Sequence, residues 1–143
     1  MYGLIEQKLI LKLKEHKVHL TKNRIAVYKF LIESKTALSV SLITKNSEKL
    51  LDRISVHRAL RYFVKKGLVE IVPNTKGNAK YILAASNNNL AIDRTNKSAY
   101  FVCSTCQKTE LVLEPVYITI GTEIEKKINK YSLIIEGICS KCQ

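Results

Sequence analysis

All four cysteines of this chain fall into two units of one spacing, "CSTC" at Cys103–Cys106 and "CSKC" at Cys139–Cys142, separated by 32 residues. A CxxC unit places two thiolates on one tight turn, and two such turns build a tetrahedral four-sulfur site suited to Zn²⁺. Unrelated buried cysteines have no reason to repeat a spacing. A thiol–disulfide switch of the thioredoxin kind needs one CxxC ahead of a helix in a larger sheet, which makes it the weaker alternative. Cys103, Cys106, Cys139 and Cys142 are therefore read as the ligands of one structural zinc per chain. No Ser/His/Asp set, paired-carboxylate site or P-loop glycine pattern accompanies them, so no enzyme is expected.

The second chemistry suggested by composition is polyanion binding. The 143 residues carry a net charge of +12. Residues 1–85 hold 17 Lys+Arg against 6 Asp+Glu, a balance of +11, whereas residues 86–143 hold 7 against 6, a balance of +1. A basic half joined to a neutral half points to one domain that meets nucleic acid and another with a separate task. The polar stretch "SNNNLAIDRTNKS", residues 86–98, lies where the balance changes and reads as a linker. Hydrophobic residues make up 46% of the chain, enough for a globular fold, and no apolar run approaches the ~20 residues of a membrane span. The N-terminal "MYGLIEQKLILKLKEHK" scatters charge through its apolar positions, unlike a signal peptide. The expected compartment is the cytoplasm, where thiols stay reduced and CxxC pairs hold metal.

The elements that would position these groups can be read from pattern. Leu4, Ile5, Leu9, Leu11 and Leu13 suggest a first helix. Thr21 can cap a second, "KNRIAVYKFLIES", with Ile25, Tyr28, Leu31 and Ile32 on one face. A short third helix begins near Ser39, with Leu42 and Ile43 as its apolar contacts. "DRISVHRALRYFVKKG" has Asp52 as N-cap, apolar Ile54, Val56, Leu60, Phe63 and Val64, and Gly67 as its stop. "LVEIVPN" and "AKYILAA" are β-rich runs joined by a hairpin at "TKGN". Helices of which the last is Arg-rich, followed by a basic-tipped hairpin, form a winged helix-turn-helix pattern. In that arrangement the fourth helix enters the major groove of double-stranded DNA and the hairpin follows the backbone. Beyond the linker, "SAYFVCSTC", "TELVLEPV" and "YSLIIEGICSKCQ" read as strands, and "IGTEIEKKINK" has a helical rhythm. The expected fold is α+β: a winged helix-turn-helix domain at 1–85, a linker at 86–98, and a small α/β domain at 99–143 carrying the four-cysteine zinc site.

This order of parts resembles the ferric uptake regulator (Fur) family of bacterial metal-responsive repressors. "LTKNR", residues 20–24, looks like the family's entry into its second helix. "ISVHRALRYFVKKGLVE" is similar to the recognition-helix pattern "aTVYRaLxxLxexGlV", "GNAKYIL" to the wing strand, and "YFVCSTCQK" to "HLxCxxCGK". The likeness spans about residues 4–142. It implies a homodimeric, DNA-binding transcriptional repressor whose second domain supplies dimer strands and a zinc staple. The alternative is a zinc-stapled adaptor or redox-switch protein, which has no need of +11 in its helical half.

The regulatory metal ligands implied by the family are replaced here. Lys97, Ser98, Ala99 and Tyr100 stand where the His-rich run is usual, Ile82 stands for the wing glutamate, and Leu111 for the carboxylate after "CGK", with Glu110 one residue out of place. The only histidines are His16, His19 and His57, all in the basic half. His16 and His19 are read as solvated surface. The expectation is a retained structural zinc without a metal sensor.

For DNA the polar stripe of the fourth helix is Arg53, His57, Arg58 and Arg61, with Ser55 beside it. Arg grips guanine bidentately or clamps phosphates, and His57 takes the position of the family's groove-reading tyrosine. Lys22 and Arg24 sit at a helix N-terminus, a natural phosphate site. Lys76 and Lys80 border the wing. Tyr28, Tyr62 and Phe63 are read as core.

Overall fold

The computed structural model describes residues 3–73, 77–84, 97–114, 116, 127 and 131–143. The chain divides into two compact units, residues 1–84 and 85–143. The tip of the hairpin, including Lys76, most of the 86–98 stretch and nearly all of "IGTEIEKKINK" lie outside the described residues.

The first unit is a winged helix-turn-helix. Its elements run α1 (Leu4–Glu15), α2 (Lys22–Glu33), β1 (Leu38–Ser39), α3 (Val40–Asn46), α4 (Arg53–Lys65), β2 (Val69–Ile71) and β3 (Lys80–Leu83). Three helices start at side-chain caps. Thr21 accepts from the Arg24 N–H, Ser39 from the Leu42 N–H and Asp52 from the Ser55 N–H. Each satisfies a backbone donor that the first helical turn leaves without a partner. The α4 helix ends at Gly67, whose φ of 72° lets the Leu68 N–H reach back to the Phe63 carbonyl. The α1 helix ends in the same geometry with Lys17 in the left-handed position, φ 53°, and the Val18 N–H on the Leu13 carbonyl.

The core gathers Leu9 and Leu13 of α1, Val27, Tyr28 and Leu31 of α2, Val40 and Ile43 of α3, and Val56, Leu60 and Phe63 of α4. Tyr28 and Phe63 pack edge-to-face with ring centroids 5.5 Å apart, in the geometry that aromatic quadrupoles favour. Burial raises the Tyr28 hydroxyl to about 12, so the ring stays neutral in the core. Several apolar positions expected to face inward do not. Leu4, Ile5 and Leu11 are 73%, 74% and 60% exposed, and Ile32 and Leu42 are exposed as well. These helices carry more apolar residues than one face holds, and docking selected Val27 of α2 and Val40 of α3 instead.

Between α3 and α4 the chain turns through left-handed conformations at Glu48 and Lys49. The buried Ser47 holds this turn, donating to the Thr44 carbonyl and accepting from the Leu51 N–H. The wing is an antiparallel sheet in the order β1-β3-β2, with Val69 opposite Leu83 and Ser39 opposite Lys80.

The second unit is a three-stranded sheet in the order β5-β4-β6, from β4 (Lys97–Cys103), β5 (Thr109–Leu111) and β6 (Tyr131–Gly137). The β5 strand is shorter than "TELVLEPV" suggested and pairs antiparallel with β4. The β6 strand pairs with β4 in parallel, with Tyr100 opposite Ile134 and Cys103 opposite Gly137. No helix among the described residues is long and apolar enough to cross a membrane.

Candidate metal centre and nucleic-acid interface

Parallel pairing explains how the two CxxC units meet. Strands that run the same way end at the same edge of a sheet, and the register sets Cys103 beside Gly137, two residues before Cys139. The knuckle after each strand therefore leaves from one edge. Ser104 latches them together, since both its N–H and its hydroxyl donate to the Gly137 carbonyl, at 2.8 and 3.1 Å. Within the first knuckle the Gln107 N–H returns to the Cys103 carbonyl, with Gln107 at φ 60°. In the second the Cys142 N–H returns to the Cys139 carbonyl.

The four sulfurs lie within 4.8 Å of one another, and Cys106 Sγ is 3.9 Å from Cys139 Sγ. A tetrahedron with Zn–S bonds of ~2.3 Å has S···S edges of ~3.8 Å, so the donor set could hold one metal ion with little adjustment. Cys103 is fully buried and the other three are part-exposed or exposed. N–H groups of Cys106 and then Cys139 aim at the Cys103 sulfur and pull its thiol down to about 6. Cys142 is pushed up to about 12, first by its side-chain hydrogen bond with Cys139 and then by burial. Backbone amides that stabilise thiolate sulfur are what a metal-binding knuckle requires. Among the described residues these cysteines are the one group of three or more His, Cys, Asp or Glu side chains close enough to share an ion.

The positions at which the resemblance places regulatory ligands have other surroundings. Ile82 is buried within the wing and Tyr100 is buried in β4. On β5 Glu110 is exposed, while Leu111 faces partly inward and Thr109 is fully covered. The alternation of side chains along a strand keeps Glu110 on the opposite face from Leu111.

The solvent side of α4 carries three arginines and a histidine. Arg53, His57, Arg58 and Arg61 are all exposed, and Ser55 is half-buried beside the Asp52 cap. Hydrogen bonds from the Ser55 hydroxyl and then its N–H hold the Asp52 carboxyl below the usual carboxylate range. A shallow groove of about 280 Å³ brings Thr21, Asn23 and Arg24 at the start of α2 against Ser55, Arg58 and Ala59 of α4. Asn23 was not singled out from sequence, where nothing distinguished it from other polar loop residues.

Arg24 has an internal task that its place at a helix start did not suggest. Its guanidinium lies 3.9 Å from the centre of the Tyr62 ring, and Nη1 donates to the His19 carbonyl at 2.7 Å. Tyr62 is thus a half-buried stacking surface for a protein cation. Lys22 is the exposed first residue of α2, and Lys80 opens β3 half-buried.

No family model and no curated protein matches this sequence. Solved structures do match in fold. A zinc uptake regulator in complex with zinc and DNA is 21% identical, with 99% of this chain and 96% of that one covered and a TM-score of 0.64. The ferric uptake regulator Fur of Helicobacter pylori, described as having three functional metal binding sites, is 20% identical, with 95% and 89% covered and a TM-score of 0.59. The ferric uptake regulator of Pseudomonas aeruginosa with manganese is 16% identical, with 96% and 100% covered and a TM-score of 0.57. The chain has the fold of ferric and zinc uptake regulators over nearly its whole length.

Proposed function

We propose that this chain is a DNA-binding transcriptional regulator of the ferric uptake regulator type, a cytoplasmic homodimeric repressor with one structural zinc per chain. We further infer that no second metal sets its DNA affinity. The observation that carries the reading is the exposed row Arg53, His57, Arg58 and Arg61 on the second helix of a helix-turn-helix, within a segment of net charge +11.

Residues 1–85 then bind DNA, 86–98 form the hinge, and 99–143 hold the dimer together. Arg58 lines the groove shared with the start of α2, so it reaches base edges where α4 meets the phosphates. Arg53, Ser55, His57 and Arg61 extend that contact along the major groove, and Lys22, Lys76 and Lys80 take phosphates. Arg24 acts through Tyr62 and the His19 carbonyl to fix the loop before α2, so it positions the contact surface. When bound, zinc replaces the protons of four thiols with one cation and ties the Cys139–Cys142 knuckle to β4. Ile82 and Ala99 offer no side-chain ligand atom for a regulatory cation, and Tyr100 is buried in β4, which supports a zinc that is structural alone.

The test is selection of a random duplex pool on the purified protein, followed by affinity measurement across salt. A recovered site with two-fold symmetry and a log–log salt slope of several units is expected. Affinity indifferent to salt would overturn the DNA reading.

A further inference from the structure

Ile54 is the second residue of α4, and it is 64% exposed. Its helical neighbours at i+3, i+4 and i+7 are His57, Arg58 and Arg61, each exposed. The core-facing side of the helix is already supplied by Val56, Ala59, Leu60 and Phe63. Among the described residues of this unit, nothing in the packing calls for an apolar residue at 54. A large aliphatic side chain thus stands in the midst of a cationic stripe, at the end of the helix that leads into a DNA groove.

The apolar feature that B-DNA displays in its major groove is the 5-methyl group of thymine. A β-branched side chain in a helix holds one χ1 rotamer, so Ile54 presents its methyl groups with little rotamer freedom left to lose. The flanking arginines suit phosphates and guanine, and the same approach that seats them brings Ile54 to the groove floor. We propose that Ile54 is a specificity-determining residue that reads a thymine methyl in each half-site. This contact rests on the DNA-binding reading above.

The test starts from the sequence enriched from a random duplex pool by the whole zinc-loaded protein. Each thymine of that site is replaced singly by deoxyuridine, which removes the methyl group and leaves the hydrogen-bonding edge intact. For the unchanged protein, one thymine per half-site is expected to show about fourfold weaker binding on replacement, the worth of one buried methyl. Ile54→Ala should bind the thymine and deoxyuridine duplexes equally, with its salt slope unchanged. Ile54→Val, which keeps the β-branched surface, should retain most of the discrimination and guards against a folding defect in the alanine variant. If no thymine is methyl-sensitive, or if Ile54→Ala is as sensitive as the unchanged protein, the contact is overturned while the regulator reading stands. If the pool enriches no sequence at all, the regulator reading fails and takes the contact with it.

Discussion

The N–H of Cys139 points at the sulfur of Cys103, 3.4 Å away across 36 residues of chain. One knuckle thereby donates to a sulfur of the other, so the four-cysteine cluster is built from both. Replacing Cys103 or Cys142 with serine should abolish tight metal binding and lower the melting temperature of the C-terminal unit, because binding free energy at such a site is folding free energy. Metal content by mass spectrometry and a melting curve check this. Full metal retention with an unchanged melt would remove the cysteine assignment.

Arg24 and Tyr62 form a pair whose energy can be isolated. Arg24→Ala should destabilise the first unit by about 1–2 kcal/mol, losing both a cation–π contact and a hydrogen bond to a carbonyl. In a double-mutant cycle with Tyr62→Leu the coupling should be ~0.5–1 kcal/mol. Arg24→Lys keeps the charge but cannot stack and donate in the same way. A normal melt together with a reduced DNA salt slope would instead make Arg24 a phosphate contact.

The Asp52 cap should give a pH-dependent stability. Hydrogen bonds from Ser55 lower the folded carboxyl below the ordinary value of 3.8, so the unfolded chain binds its proton first as pH falls. The stabilisation is fully present above the unfolded value and is lost as pH drops through the folded one. Asp52→Asn should therefore melt below the unchanged protein at neutral pH and converge with it in strong acid. A gap that persists unchanged into strong acid would show that the carboxylate charge plays no part.

Gly137 lies under the ring of Phe101, and a Cβ built there would sit 3.0 Å from Phe101 Cε2 and 3.3 Å from Cζ. Gly137→Ala should cost about 1 kcal/mol through this clash. In a Phe101→Leu background the same change should be close to neutral. Equal costs in both backgrounds would place the effect in the backbone.

Much of this architecture can be read from local chemistry. Thr21, Ser39 and Asp52 announce helix starts because a cap needs only a side-chain oxygen at one position, and Gly67 marks a stop because its φ is left-handed. The paired CxxC spacing speaks for itself for the same reason. What escaped depends on distant partners. Ile32 and Leu42 are apolar residues of the kind a core takes up, yet the surface against which each helix docks decides which apolar stripe is covered. The parallel pairing of β4 with β6 joins Lys97–Cys103 to Tyr131–Gly137, and no local pattern in either strand specifies its direction. The stacking of Arg24 on Tyr62 was not legible either, because that ring reaches it only through the packing of α2 against α4.

One titration bears most directly on a regulator with structural zinc alone: the zinc-loaded protein against its selected DNA site, anaerobically at fixed ionic strength, with and without micromolar Fe²⁺, Mn²⁺ or added Zn²⁺. Specific binding should be present in every condition and agree within about twofold, because a cation shifts an equilibrium only by its differential affinity for two states. A change of tenfold or more, equivalent to about 1.4 kcal/mol of coupling, would reveal a regulatory metal site and contradict the reading.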